Sequence, residues 1–419
     1  MKNLFVIFVS RDWQIENFSL IKKRLQQKYS LNEFIFVSMD TLHKGNASQT
    51  LKNYNIPYIS CKNSKINKIF KLINEVLHLY KKIKTKSWSS ITIFIDHNMI
   101  PDYLLGLGLA SVSGGNLAVF QHSENTHHGW IVDWNKGFIK INSSLYIKMK
   151  SFFKVKFFLL SLFFKAQIKI KSKNNFSYKK LFKLLLTLKE QFCGCDAYFS
   201  FSKIHFHAVK FFLPKYTKHF YVGSLLKERI LNKEHKIKVK LRKNTEKNFI
   251  IYSSGAFRTG VTIAIKRQIH SLSLIILSLN KLGKIPYVQF KAGELENRII
   301  KKVKGKFKIK YRNRYNNLPN PYYILPVDSS AVLELEIVEA NILLYQAFPL
   351  ASPFGTKNLF RKDLLIFNYQ SDFNDTKDRL IKAIYKIDNK NFKRKNIHYK
   401  KTYLSASAKI VSKFYRDIL

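Results

Sequence analysis

Short apolar runs alternate with amphipathic stretches through the first 135 residues of the chain, and the same alternation begins again near residue 248. Leu4 to Val9 is unbroken apolar sequence within the segment Asn3 to Ser10, the pattern of a strand buried on both faces. Ile15 to Tyr29 follows, with Phe18, Ile21 and Leu25 at helical spacing among lysines and arginines. Glu33 to Val37, Ile56 to Ser60, Ile91 to Ile95 and Leu117 to Phe120 read as further strands, and Ile66 to Ile83 and Pro101 to Leu109 as helices. Ala197 to Phe201 and Phe220 to Val222 read as closing strands. Repeated strand–helix units imply a parallel sheet with helices on both faces. Ligands of such sheets bind beyond the carboxyl ends of the strands. That rule selects three loops in this half: Ser10-Arg11-Asp12, Asp96-His97-Asn98, and the run after Phe120.

The second half repeats the pattern. Asn248 to Tyr252, Ile285 to Phe290, Tyr322 to Pro326 and Ile342 to Tyr345 read as strands. Ile263 to Leu282 reads as a helix ending at Gly283, with Glu294 to Val303, Ala331 to Ala340 and Ile410 to Ile418 as further helices. Lys233 to Lys247 is highly charged and poor in large apolar residues, so it is the expected linker. The expected fold class is α/β: two Rossmann-like domains, residues 1–240 and 248–419, facing a central cleft.

Charge narrows the partners. The formal net charge is +48, from 74 Lys and Arg against 26 Asp and Glu, which calls for a polyanion: nucleic acid, an anionic membrane face, or phosphate-bearing substrates. The lysines run along the whole chain and no recognised nucleic-acid module is present, so a nucleic-acid-binding protein is the alternative reading. Residues 151–190 interleave Phe152, Phe153, Phe157, Phe158, Phe163 and Phe164 with Lys154, Lys156, Lys165 and Lys169, a basic aromatic insertion. Its apolar runs are too short to cross a bilayer, but a helix of this type can lie in the headgroup layer or form an ordinary core hairpin. Tyr103 to Ser123 is free of Lys, Arg and Glu, and is interrupted by Ser111, Ser113, Gly114, Gly115 and Asn116, which favours two elements joined by a turn. Arg11 and Asp12 end the opening apolar run too early for an export signal. Cys61, Cys193 and Cys195 form no disulfide framework and fit a reducing compartment. The expected location is therefore cytoplasmic, peripheral to the inner face of the membrane.

Neither G-x-G-x-x-G after the first strand nor G-x-x-x-x-G-K-[ST] occurs, which argues against hydride transfer and an ordinary P-loop enzyme. Three segments of the second half suit phosphate instead. Ser253-Ser254-Gly255, with Arg258 beyond it, can present backbone N–H groups and a guanidinium to a phosphate, or simply form a tight turn. Lys291-Ala292-Gly293-Glu294 follows a strand, where Lys291 can neutralise a diphosphate and Glu294 can accept sugar hydroxyls, or the segment is a solvated loop. Asp328-Ser329-Ser330 lies between a strand and a helix carrying Glu334, and either caps that helix or lets its N-terminus hold a phosphate without a metal.

The last two segments resemble the motifs of bacterial two-domain surface-polysaccharide glycosyltransferases of the GT-B architecture, in the capsule, sialyl-, polysialyl- and polyol-phosphate-transferase branches. There a strand leads to a basic loop, and a later strand to a serine pair and a helix with an early Glu. Lys291-Ala292-Gly293-Glu294 lacks the His-Pro pair of the first motif, whereas Asp328 to Glu334 resembles the second. The resemblance spans about residues 248 to 355. It implies that Ser329 and Ser330 hold the donor phosphate, and that residues 248–419 form the nucleotide-sugar donor domain and 1–240 the acceptor domain.

In the first half, Gln121 to His128 is the densest polar cluster and follows a buried strand. His122 or Glu124 can deprotonate an acceptor hydroxyl. The Gln-His pair is also similar to the capsule and polyol-phosphate transferases. His122, Glu124, His127 and His128 are all metal-ligand types, but their spacing matches no standard zinc pattern, so no metal is assigned. No cofactor is expected either, since the nucleotide-sugar is a substrate. The resulting expectation is metal-independent transfer of a sugar from a nucleotide donor to a surface glycan or lipid-linked acceptor, with a non-catalytic relative as a further alternative.

Overall fold

The computed structural model describes residues 2–28, 30–43, 45–61, 69–96, 100–121, 130–133, 137–140, 156–166, 195–200, 206, 213, 215–225, 228–229, 248–253, 265–290, 310–311, 321–325, 341–346, 365–368, 373–389 and 406–417. The chain divides into two compact units, one of residues 1–124, 142–229 and 401–419, the other of 125–141 and 230–400.

The first unit is built on a parallel sheet of β1 (Asn3–Val9), β2 (Glu33–Ser38), β3 (Tyr58–Ser60), β4 (Ser90–Ile95) and β5 (Asn116–Phe120). The chain then forms an antiparallel hairpin, β6 (Trp130–Asp133) with β7 (Gly137–Lys140), before β8 (Ala197–Ser200) and β9 (Lys218–Tyr221) complete the sheet. Its order is β3-β2-β1-β4-β5-β8-β9. The helices are α1 (Asp12–Lys28), α2 (Asp40–His43), α3 (Ala47–Asn53), α4 (Ile69–Ile83), α5 (Ile100–Ser113) and α6 (156–166).

Period-two alternation along β1 sorts its side chains into two cores. Leu4, Val6 and Phe8 join one with α4, α5 and α6, whereas Phe5, Ile7 and Val9 join the other with Ile15, Phe18, Ile21 and Leu25 of α1. Across this second face runs a ladder of phenylalanine rings: Phe34, Phe5, Phe94, Phe120, Phe199 and Phe220, on β2, β1, β4, β5, β8 and β9 in that spatial order. Successive centroids are 5.1, 5.5, 5.2, 4.9 and 5.3 Å apart, within the range of favourable ring contacts.

The second unit carries a parallel sheet of β10 (Asn248–Ser253), β11 (Tyr287–Phe290), β12 (Lys310–Tyr311), β13 (Pro321–Leu325), β14 (Asn341–Gln346) and β15 (Leu365–Asn368), in the order β12-β11-β10-β13-β14-β15. This matches the order of the first six strands of the other sheet, so the α/β class with two Rossmann-like sheets is the observed one. α7 (Ile265–Lys281) packs on α8 (Phe373–Asn389). α7 ends at Gly283, whose φ of +71° is the left-handed cap that the sequence led one to expect.

Some elements depart from expectation. α5 continues to Ser113, past Leu109, with the hydroxyls of Ser111 and Ser113 satisfied within the helix by donating back to the carbonyls of Leu107 and Leu109, both at 2.7 Å. The hairpin β6–β7, the strand β15 and the helix α8 were not anticipated. The C-terminal helix α9 (Ala406–Asp417), grouped by sequence with residues 248–419, packs on the first unit. Phe414 is fully buried against Phe5, Phe94 and Phe199 of the ladder. The start of α9 is tied by the buried Glu228, which accepts from the Ser407 N–H at 2.7 Å and the Ser407 hydroxyl at 2.6 Å. Arg24 of α1 completes the cluster, 3.4 Å from Glu228. The linker 233–247 and the expected helices 294–303 and 331–340 lie outside the described residues.

Candidate functional site

The order of the first sheet reverses between β1 and β4, the place where sheets of this kind have their ligand crevice, beyond the strands' carboxyl ends. Ser10 and Asp96 leave these two strands, and Gln121 leaves the next, β5; all three are buried. Gln121 extends the β5–β8 pairing, its N–H donating to the Phe199 carbonyl at 2.9 Å.

Gln14, in the first turn of α1, joins the two sides of the crevice. Its Oε1 accepts from the backbone N–H of Ser10 at 2.6 Å, from that of Arg11 at 3.0 Å, and from the Ser10 hydroxyl at 3.2 Å. Its Nε2 donates to Oδ2 of Asp96 at 3.0 Å. The amide thus closes the β1–α1 turn and holds a buried carboxylate in place.

The loop after β2 is fastened to the same turn. The Asn46 N–H donates to the Ser10 carbonyl at 3.2 Å, and the Asn46 side-chain oxygen accepts from the Asp12 N–H at 3.3 Å. Gly45 packs so close to the Ser10 carbonyl that a Cβ would lie 1.8 Å from its oxygen. With Asn46 so engaged, Asp40 takes over capping of α3, accepting from the N–H groups of Ala47 at 2.8 Å and Ser48 at 2.7 Å and from the Ser48 hydroxyl.

These bonds decide which chemistry the crevice suits. In many sheets of this kind the first turn offers its N–H groups to a phosphate. Here Gln14 occupies those of Ser10 and Arg11, and the neighbouring Asp96 is a carboxylate, a group that repels phosphate and accepts hydrogen bonds from hydroxyls. Among the described residues no group of three His, Cys, Asp or Glu could hold a metal ion.

No family model matches the chain, and no curated protein matches its sequence. Solved structures do match. UDP-GlcNAc 2-epimerase from Neisseria meningitidis bound to UDP-GlcNAc superposes with a TM-score of 0.55 at 10% identity, over 100% of both chains. The enzyme of the same name from Rickettsia bellii gives 0.54 at 14% identity, over 100% of this chain and 99% of that one. The Methanocaldococcus jannaschii enzyme in complex with UDP-GlcNAc and UDP gives 0.53 at 13% identity, over 99% of each. The likeness is one of fold.

Of the residues singled out by sequence, Ser253 is described, as the last residue of β10, in register with Phe290 at the end of β11. Ser254, Gly255 and Arg258 follow β10 in the chain, Lys291 and Glu294 follow β11, and Asp328, Ser329, Ser330 and Glu334 follow β13; all lie outside the described residues. So do His122 and Glu124, which follow β5 and Gln121. β11, β10 and β13 are neighbours, and the order of the second sheet reverses between β10 and β13. Gln14 was missed by sequence reasoning, since a glutamine in a helical first turn reads as an ordinary polar residue. Asp96 carried the signal of an acid at a buried strand's end.

Proposed function

We propose that the chain is an enzyme of nucleotide-sugars: a glycosyltransferase that moves a sugar from a nucleotide-activated donor to a surface glycan or a lipid-linked acceptor. The observation that carries this reading is the chemical contrast between the two switch points. That of the first sheet has its turn N–H groups capped by Gln14 beside the Asp96 carboxylate, so it favours a hydroxyl over a phosphate. The strands flanking that of the second sheet, β10 and β13, lead in sequence to Ser254-Gly255 and Asp328-Ser329-Ser330, and the next strand, β11, to Lys291, residue types that suit phosphate. The fold shared with enzymes whose structures hold UDP-GlcNAc supports a nucleotide-sugar ligand.

In this reading the donor phosphate rests on Ser329, Ser330 and a basic residue, Lys291 or Arg258, with Ser253, Ser254, Gly255, Asp328, Glu294 and Glu334 around the donor. The positive groups stabilise the negative charge that develops on the departing nucleotide. On the acceptor side, His122 or Glu124 takes the proton of the attacking hydroxyl, with Asp96 as a further base in that region. The reading assigns no resident metal or cofactor. It seats the chain at the inner face of the cytoplasmic membrane, where a lipid-linked acceptor would be met.

Thermal unfolding with CMP, CDP, UDP, GDP and pyrophosphate tests the donor half. A ligand at about 100 times its Kd stabilises by roughly 2.7 kcal/mol, a shift of several degrees for units of this size. One preferred base, with the shift removed by Ser330→Ala, is the expected result. Equal response to all polyanions, abolished by salt, would hand the case to nucleic-acid or nonspecific anion binding.

A second reading is epimerisation of the sugar while it remains on its nucleotide. It is favoured by the full-length alignment with the UDP-GlcNAc 2-epimerases, which includes the first unit with its buried Asp96. Proton NMR of UDP-GlcNAc incubated with the protein separates the two. An epimer formed without acceptor supports the second reading, and UDP release that requires an acceptor supports the first.

A further inference from the structure

α6 is apolar on both of its faces. Phe158, Leu159, Leu162 and Ala166 are buried in the core formed with α4 and α5. The opposite face, at positions 157, 160, 161 and 164, follows helical spacing and should be polar on a helix that merely covers a sheet. Three of these four residues are large hydrophobics: Phe157 is 50% exposed, Leu160 41% and Phe164 64%. Phe70, at the start of α4, is 58% exposed and its ring meets that of Phe157 edge-on at 6.4 Å, so the patch continues across two helices. Lysines border it. Lys165 holds its Nζ 6.0 Å from the Phe70 ring centre, and Lys71 and Lys156 lie beside Phe70 and Phe157 in the chain.

We infer that the outer face of α6, together with Phe70, is a docking surface for an anionic lipid bilayer. Charge selects this occupant. A second copy of the chain would bring lysine rims together, with a net charge of +48 on each partner, whereas anionic headgroups complement the rim while the rings enter the acyl boundary. Two half-exposed aromatic rings about two helical turns apart give the surface depth as well as charge, and this separates docking from loose adsorption of scattered lysines. Among the described residues no helix is long and apolar enough to cross a membrane, so the contact lies in the interface. The inference gives residues to the membrane seat of the transferase reading, and rests on the patch alone.

Sedimentation with sucrose-loaded vesicles of phosphatidylcholine, with and without phosphatidylglycerol, tests it on the full chain. We expect binding that requires phosphatidylglycerol, weakens with salt, and falls at least about tenfold in Phe157→Asn/Phe164→Asn. The same variant should keep the wild-type melting temperature, because both rings are already half in water. In Phe157→Trp, the tryptophan emission should shift to the blue on adding anionic vesicles. Vesicle binding unchanged in the double variant would overturn the proposal in favour of adsorption by lysines elsewhere. So would a wild-type dimer that the double variant dissolves without change in vesicle binding. Nucleotide-induced stabilisation, read without vesicles, reports on the donor site separately, so failure of either reading is recognised by itself.

Discussion

Replacing Gln14 with leucine would remove the bridge between β1 and β4 while keeping most of the side-chain volume. Four hydrogen bonds disappear, to the Ser10 N–H, the Ser10 hydroxyl, the Arg11 N–H and Asp96. They do not count equally. The Arg11 N–H is only part-buried and the Ser10 hydroxyl can rotate, so both have alternatives. The Ser10 N–H is buried, and a buried polar group stripped of its partner costs about 1–3 kcal/mol, whereas Asp96 keeps other interactions. The expected loss is therefore about 1–3 kcal/mol, or several degrees in the melting temperature of the first unit. Gln14→Glu sharpens the test. A carboxylate there still accepts from Ser10 and Arg11, but it faces Asp96 where the amide donated at 3.0 Å. The like charges are relieved when the pair shares a proton, so the deficit of this variant against wild type should shrink as the pH falls towards about 4. Circular dichroism melts of the three proteins between pH 4 and 8 decide the matter. A Gln14→Leu protein that melts within a degree of wild type would refute the reasoning, as would a Gln14→Glu deficit that does not change with pH.

Further outcomes follow from single contacts. Asp96→Asn keeps an oxygen for the Gln14 amide, so the fold and nucleotide-induced stabilisation should persist while turnover falls at least about 100-fold if Asp96 moves a proton; steady-state kinetics beside thermal melts separates the two. Phe414→Ala empties a fully buried site against three rings and should cost about 3–5 kcal/mol by denaturant titration, which also tests the seat of α9 on the first unit. Gly45→Ala forces the loop after β2 away from the Ser10 carbonyl, and hydrogen exchange should show faster opening of the Asn46 and Asp12 amides. Burial, then the carboxylates of Glu75 and Asp102, pushes the Cys61 thiol far up. The unfolded thiol ionises near pH 8.5 while the folded one stays protonated, so stability present below that pH is lost as pH rises above it. Compared with Cys61→Ala, the wild type should lose up to about 1.4 kcal/mol more per pH unit there, measured by urea unfolding.

Much of the fold could be read from local pattern because local pattern causes it. The apolar runs of β1, β4 and β5 are buried on both faces, and that condition leaves a mark no register can hide. The Phe34–Phe5–Phe94–Phe120–Phe199–Phe220 ladder could not be read, since it exists only once strand order and register are set. The same holds for α9. Its amphipathic face, with Ile410, Val411 and Phe414, shows in the sequence, but its distant partners, Glu228 and Arg24 among them, do not, and they tie it to the first sheet. Serines misled at the end of α5, where they read as the start of a turn but satisfy themselves on helix carbonyls.

The site divides along a similar line. A rule of topology, that ligands gather at strand ends, was enough to select Ser10, Asp96 and the run beginning at Gln121. What the rule does not contain is the state of the N–H groups at those ends. Two sheets with the same strand order reverse at corresponding strands, so topology alone would assign phosphate to both. One glutamine breaks that equivalence in the first sheet, by filling the anion's place with its own carbonyl and turning its amide to a carboxylate. A side chain that points back four residues leaves no periodic trace in a sequence, yet it decides whether the N–H groups of that turn are open to an anion.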